Sequence, residues 1–363
     1  MKRLMNDCHT CSSCTSNATH ELKPIKVGKL TLKHRVVLPS MTRLRADANH
    51  VPYLPLVAGY FTHRARRPGK LPVTDAMIIA ARAGGTAHTR LLHGDNVLQV
   101  TDTVHHKTSF IFSQQTGDPS FPYVSVSNVQ LTDMDVPPHP LTVPEIKEYV
   151  ALFAQSAKSA IEAGFDGVEI HAANRYLIHQ FLHDEVNHRM DEYGGSVENR
   201  ARFAFEIVDA VVAAIGAERT AIRFSPWNQI QYMAMRDPIP TFSYVISQLA
   251  QCHPDLAYLH LVEPPIVGAF FCDENSAGAH VPCAAWASRR LVRAGGYTHQ
   301  TALETAEESD NLIARILLLL LMMFIMLQPD LVTRIEKDIP YTPYDRLTFY
   351  LVGDSTPRGY PPY

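Results

Sequence analysis

The chain lacks any long uninterrupted apolar run. The longest, Ile316 to Leu327, is twelve residues, against the roughly 20 that a bilayer-spanning helix needs. It reads instead as a buried strand running into a helix, and no membrane partner is expected. An excess of charge of one sign is also missing. The 33 Lys and Arg and 36 Asp and Glu are interspersed, leaving a net charge of −3. That removes the basic footprint of a nucleic-acid binder. Cysteine is scarce, six in 363 residues, which excludes a disulfide scaffold and points to a reducing, cytoplasmic setting. Cys8, Cys11 and Cys14 cluster as CHTCSSC, with His9 and His20 nearby. A structural zinc site needs four ligands on a packed framework, which this stretch does not offer. Residues 1–20 therefore read as a disordered polar leader with no metal. The N-terminus has no apolar core ahead of a small-residue cleavage site, so no secretory signal is expected.

What is present is a hydrophobic content of 46%, enough to bury a large core, and a repeated alternation of strand-like and helix-like stretches. Strand patterns are read at Arg35–Leu38, Leu71–Ile79, Gly167–Ile170, Thr220–Phe224, Ala257–Val262 and Leu291–Arg293. The stretch from Val97 reads as a helix followed by a third strand ending at Gln114, and the eighth strand falls within Ile316–Leu327. Helices are read at Ala201–Gly216, at Pro240–Gln251 and after Thr142. There Thr142-Val-Pro-Glu145 offers a cap, a first-turn Pro and a Glu at the third position. Eight strand-helix units predict an α/β fold, a single-domain (β/α)8 TIM barrel, over residues 21–350, with 351–363 as a tail.

In such a barrel the chemistry gathers at the C-terminal ends of the strands. The stretch Ala163–Arg202 places His171, Asn174 and Tyr176 within six residues of one such end. All three can donate hydrogen bonds; they could equally be a core histidine, a turn former and an aromatic anchor. Arg223 sits inside a predicted strand, where a cation is costly unless paired. Its partner is either a bound anionic group or a barrel carboxylate such as Glu169. Gly295 and Gly296 follow the seventh strand, where backbone N–H groups can approach a phosphate.

The pattern His171-x-x-Asn174-x-Tyr176, followed by Asp191-Glu-Tyr-Gly-Gly-Ser-Val-Glu-Asn-Arg200, resembles the old yellow enzyme family of flavin-dependent ene-reductases. The resemblance runs from Glu21 to Tyr350. It implies FMN as cofactor, NADPH or NADH as reductant, and reduction of the C=C bond of an enone or enal within secondary metabolism, by a monomer or homodimer. By the same resemblance Pro39, Thr42, Ala76, Gln114, Arg223, Gly295 and Gly296 would contact the flavin. His171 and Asn174 would bind the substrate carbonyl, and Tyr176 would be the catalytic proton donor.

Four departures from the family pattern stand out. The loop after Gln114 is shorter, and HTRLLHGDN lacks the usual Pro-Gly-(Ile/Val). Arg175 stands where relatives usually have Gly. Met322-Met323 replace the Gly-Arg of the second phosphate turn, which predicts weakened FMN binding and raises the possibility of altered splicing. An inactive member, or a non-redox isomerase or ligand-binding barrel, is the alternative reading.

Overall fold

Strands that pair in parallel need a crossover between them, and helices supply it while covering the outer face of the sheet. The computed structural model describes residues 23–38, 40, 43, 45, 52–66, 69–79, 97–101, 123–130, 136–227, 235–262, 266–267, 270–271, 284–286, 289–294, 312–314, 330–337, 339–340, 348, 351 and 353–359. An antiparallel hairpin, β1 (Ile25–Val27) and β2 (Leu30–Leu32), comes first. Eight strands then follow in chain order through one sheet. They are β3 (Val37–Leu38), β4 (Leu71–Ile78), β5 (Val97–Thr101), β8 (Gly167–Ala172), β9 (Thr220–Phe224), β10 (Tyr258–Val262), β13 (Leu291–Ala294) and β14 (Leu312–Ala314). Every neighbouring pair is parallel, and β14 returns alongside β3. Two short ladders lie outside this sheet: β6 (Val124–Ser125) with β7 (His139–Pro140), and the hairpin β11 (Ile266–Val267) with β12 (Phe270–Phe271).

The helices are α1 (Leu54–Ala65), α2 (Val143–Glu162), α3 (Leu177–Leu182), α4 (Val197–Ile215), α5 (Ile239–Cys252) and, after the last strand, α6 (Leu331–Lys337). The capping box expected at Thr142 is present. Its hydroxyl accepts from the Glu145 N–H, and the Glu145 carboxylate accepts from the Thr142 N–H at 2.7 Å. Such a cap fixes where α2 starts and contributes about 1 kcal/mol.

Alternation along the strands divides the core in two. Val168, Ile170, Ala172, Ile222, Phe224, Leu259 and Leu261 face outward and pack against Ile146, Phe153, Ala204, Ile207, Phe242 and Val245 of the helices. Val37, Leu71, Val73, Ala221, Tyr258, Val292 and Ala294 face inward, joined by Ile25, Val27 and Leu32 of the hairpin. The hairpin lies beside Gly167, Arg219 and Ala257, at the N-terminal ends of the strands. Each such fully buried Leu, Ile or Phe is worth roughly 1.5–3 kcal/mol.

The sheet corrects two sequence expectations. Val97–Thr101, read there as helix, is the third strand. Its Val-Leu-Gln-Val-Thr is rich in β-branched residues, which suits a position between β4 and β8. The eighth strand is Leu312–Ala314, ahead of the apolar run that was expected to supply it. All of that run, like Gln114, lies outside the described residues. The fourth strand also extends further than expected, through His171 to Ala172.

The chain's last described segment folds back onto its beginning. Arg45, fully buried, donates to the carbonyls of Asp354, Thr356 and Arg358, and Arg43, also fully buried, donates to that of Gly359. The Arg43 N–H is meanwhile held by the Asp75 carboxylate on β4 at 3.1 Å.

Candidate active site

All six residues of β8 are buried, and their alternation sends Glu169 and His171 inward while Val168, Ile170 and Ala172 pack outward. Register sets His171 beside Arg223 on β9, and Arg223 beside His260 on β10. Two residues earlier the row is Glu169, Ala221, Tyr258. The fully buried Glu169 accepts from the Tyr258 hydroxyl at 2.9 Å and from His260 Nδ1 at 2.8 Å. Burial opposes ionisation of Glu169, but His260, Arg223 and Tyr258 outweigh it and hold the carboxyl at a pKa of about 2. Burial likewise keeps His260 neutral, so its Nδ1 carries the proton it shares with Glu169.

Arg223 is 6% exposed, and no ion pair joins it to Glu169 among the described residues. That carboxylate is taken by Tyr258 and His260. The Arg223 Nε and the His171 Nδ1, both buried, have no hydrogen-bond partner among the described residues. Burial, reinforced by the Arg223 charge, lowers the His171 pKa well below the usual imidazole value, so the ring is neutral and can donate one N–H.

Beyond Ala172 the chain turns sharply. Asn174 (φ 51°) and Arg175 (φ 70°) are consecutive non-glycine residues in the left-handed region, which costs roughly 1–2 kcal/mol per residue. The turn brings Tyr176 back so that its ring lies 4.8 Å from the His171 ring, edge to face at 63°. Tyr176 is also close enough to Arg223 to influence its charge state. The Asn174 N–H donates to Ser225 Oγ at 2.8 Å, tying this turn to the end of β9.

The charged signature that follows is scaffold. Arg189 grips Asp191 through two nitrogens, at 3.0 and 2.6 Å, and donates to the carbonyls of Val126 and Leu141. The Tyr193 hydroxyl reaches Glu206 on α4 at 2.9 Å. Asn187 bridges the carbonyls of Phe181 and Tyr193, and Arg200 donates to those of Leu182 and Gly195. Together these bonds satisfy the buried backbone of the excursion between α3 and α4.

The structure thus brings His171, Asn174, Tyr176 and Arg223 together at the ends of β8 and β9. Ala76, 2% exposed, lies two strands away on β4, paired with Gln99, which in turn pairs with Glu169. Pro39, Thr42, Gln114, Gly295, Gly296, Met322 and Met323 lie outside the described residues. Sequence reasoning missed Tyr258, His260, His179, Gln180 and Ser225. A signal for the first two existed: Glu169-x-His171 and Tyr258-x-His260 place polar residues at period two inside buried strands, which marks one inward face.

The residues present fit a flavin. A buried cation with an open nitrogen, at the C-terminal end of a barrel strand and with the nearest carboxylate already occupied, suits an electron-rich carbonyl or an anionic ring edge.

Comparison with known proteins agrees. The sequence profile of the family described as NADH:flavin oxidoreductase / NADH oxidase matches residues 22–342. The chain is 41% identical over 360 residues to a chanoclavine-I aldehyde reductase of Penicillium roqueforti, covering 94% of this chain and 95% of that one. It is 36% identical over 381 residues to enoate reductase 1 of Kluyveromyces lactis, covering 95% and 94%. Among solved structures, the Old Yellow Enzyme from Pichia sp. AKU4542 superposes with a TM-score of 0.78 at 27% identity, over 94% of this chain and 92% of that one.

Proposed function

The chain belongs to the NADH:flavin oxidoreductase / NADH oxidase family, and from that premise we propose that it is an FMN-dependent reductase of α,β-unsaturated carbonyl compounds. NADPH or NADH is the reductant. The observation that carries this reading is the convergence of His171, Tyr176 and Arg223 at adjoining strand ends, with two buried nitrogens open to a ligand. The aldehyde reductase and enoate reductase relatives support the substrate class.

When bound, the flavin supplies hydride taken from the nicotinamide. Arg223 would hold the flavin, its positive charge favouring the negative charge that reduction leaves on that group. His171, through its single N–H, and Asn174, through its side-chain amide, donate to the substrate carbonyl oxygen. They stabilise the negative charge that grows there as the β-carbon accepts hydride. Tyr176 gives its phenolic proton to the α-carbon as general acid; a phenol with a reference pKa of about 10 is protonated at neutral pH. Pro39, Thr42, Ala76 and Gln114 complete the flavin contacts we assign, with Gly295 and Gly296 at its phosphate. The protein works as a monomer or homodimer in the cytoplasm, and no helix among the described residues is long and apolar enough to cross a membrane.

The test is a visible spectrum of purified protein after loading with FMN and removing the excess. Flavin absorption that bleaches with NADPH and recovers with an enone is expected. Tyr176→Phe should slow the recovery while leaving the bleaching rate nearly unchanged, and equal loss of both steps removes Tyr176 from its role. A folded but colourless protein would favour the inactive or non-redox alternative.

A further inference from the structure

The turn carrying Asn174 and Tyr176 is held in a conformation that its own residues disfavour. Asn174 and Arg175 are the only non-glycine residues with positive φ among those described. Neither has glycine's freedom there, so the conformation persists only if its surroundings impose it. Three side chains do so. Ser225 Oγ takes the Asn174 N–H at 2.8 Å, and His179 Nδ1 takes the Arg175 N–H at 3.2 Å. Gln180 Nε2 donates to the Arg175 carbonyl at 2.8 Å, and its Oε1 in turn accepts from Ser125 Oγ at 2.9 Å. His179, Gln180, Ser225 and Ser125 are all at most 2% exposed, so water does not compete for these bonds.

We infer that His179, Gln180 and Ser225 are positioning residues, which clamp the left-handed Asn174–Arg175 turn and thereby fix the Asn174 amide and the Tyr176 phenol against the substrate. This rests on the reductase reading above. The part His179 plays is specific. The Arg175 N–H points at Nδ1, so that nitrogen must keep its lone pair and Nε2 must carry the hydrogen. A protonated ring would set donor against donor. Burial, together with His183 and Arg175, holds the His179 pKa at about 3 and keeps the acceptor in place.

The decisive comparison is His179→Leu, which removes the acceptor, against His179→Asn, whose Oδ1 can stand where Nδ1 stands. Each is made with Arg175 and again with Arg175→Gly, since glycine adopts the turn without help. His179→Leu should slow enone reduction about tenfold or more, while flavin reduction by NADPH stays within about twofold. His179→Asn should recover most of that loss, and Arg175→Gly should shrink the Leu penalty. Equal loss in Leu and Asn, or a penalty unchanged by Arg175→Gly, overturns the proposal.

Amide hydrogen exchange at Arg175 in the flavin-free protein gives a readout independent of turnover. Faster exchange in Leu than in Asn supports the clamp, and identical exchange in the two overturns it. If the parent protein reduces no enone, the reductase reading fails, and the exchange comparison alone decides the clamp.

Discussion

Keeping the buried His171 and His179 neutral shapes how the protein responds to acid. Burial is the main cause for both rings, with Arg223 acting on His171, and His183 and Arg175 on His179. The folded pKa values lie below the unfolded value of 6.5, so the unfolded chain binds more protons once the pH falls under it. Their contribution to stability is complete above pH 6.5 and is lost progressively below it, for His179 down to about pH 3. Each ring adds a slope of about 1.4 kcal/mol per pH unit in that window. Glu169, lowered to about 2 from 4.5, adds a second loss that begins only below pH 4.5. Urea unfolding at pH 7, 6 and 5 should show stability falling before Glu169 begins to contribute. His179→Asn should flatten that fall by about one proton's slope. Equal stability at all three pH values would falsify the neutral assignment of both rings.

The excursion from α3 to α4 was legible as a family signature, but its purpose was not. Spacing alone gives no hint that Arg189, Asn187, Tyr193 and Arg200 spend their polar groups on backbone carbonyls and on one another, because those partners lie up to 63 residues away. The candidate site was easier to find. His171, Asn174 and Tyr176 share one short stretch, and Arg223 betrays itself as a cation in an apolar strand. Tyr258-x-His260 carries a period-two signal of its own, whereas Ser225 lies just past β9 and becomes visible only through its contact with Asn174. Val97–Thr101 was misread because five residues carry too little periodicity to separate strand from helix. Within the excursion, adjacent glycines make a sharp contrast. A Cβ on Gly194 would collide with the Arg189 carbonyl, whereas one on Gly195 meets nothing within 4 Å and only faces φ 79°. Gly194→Ala should therefore cost about 3 kcal/mol or more, as a backbone clash, against about 1 kcal/mol for Gly195→Ala. Chemical denaturation of the two variants side by side is the check, and equal losses would show that the Arg189 loop yields freely.

On the scale of the whole molecule, the first and last stretches of the chain depend on each other. The buried Arg43 and Arg45 find acceptors on Asp354, Thr356, Arg358 and Gly359, more than 300 positions along the chain. Ending the chain at Tyr350 would leave two buried cations short of partners, at an expected cost of about 3–5 kcal/mol. The cost should appear as a lower denaturation midpoint and, since Arg43 adjoins Thr42 in sequence, as weaker FMN retention. A truncated protein as stable as the parent would mean that water replaces the tail. The same grip imposes an order on biosynthesis. Until residues 354–359 have been made, Arg43 and Arg45 lack these carbonyl acceptors, however long ago they emerged. The nascent barrel must wait unfinished at one rim until that segment emerges, and that interval is when chaperones would find it.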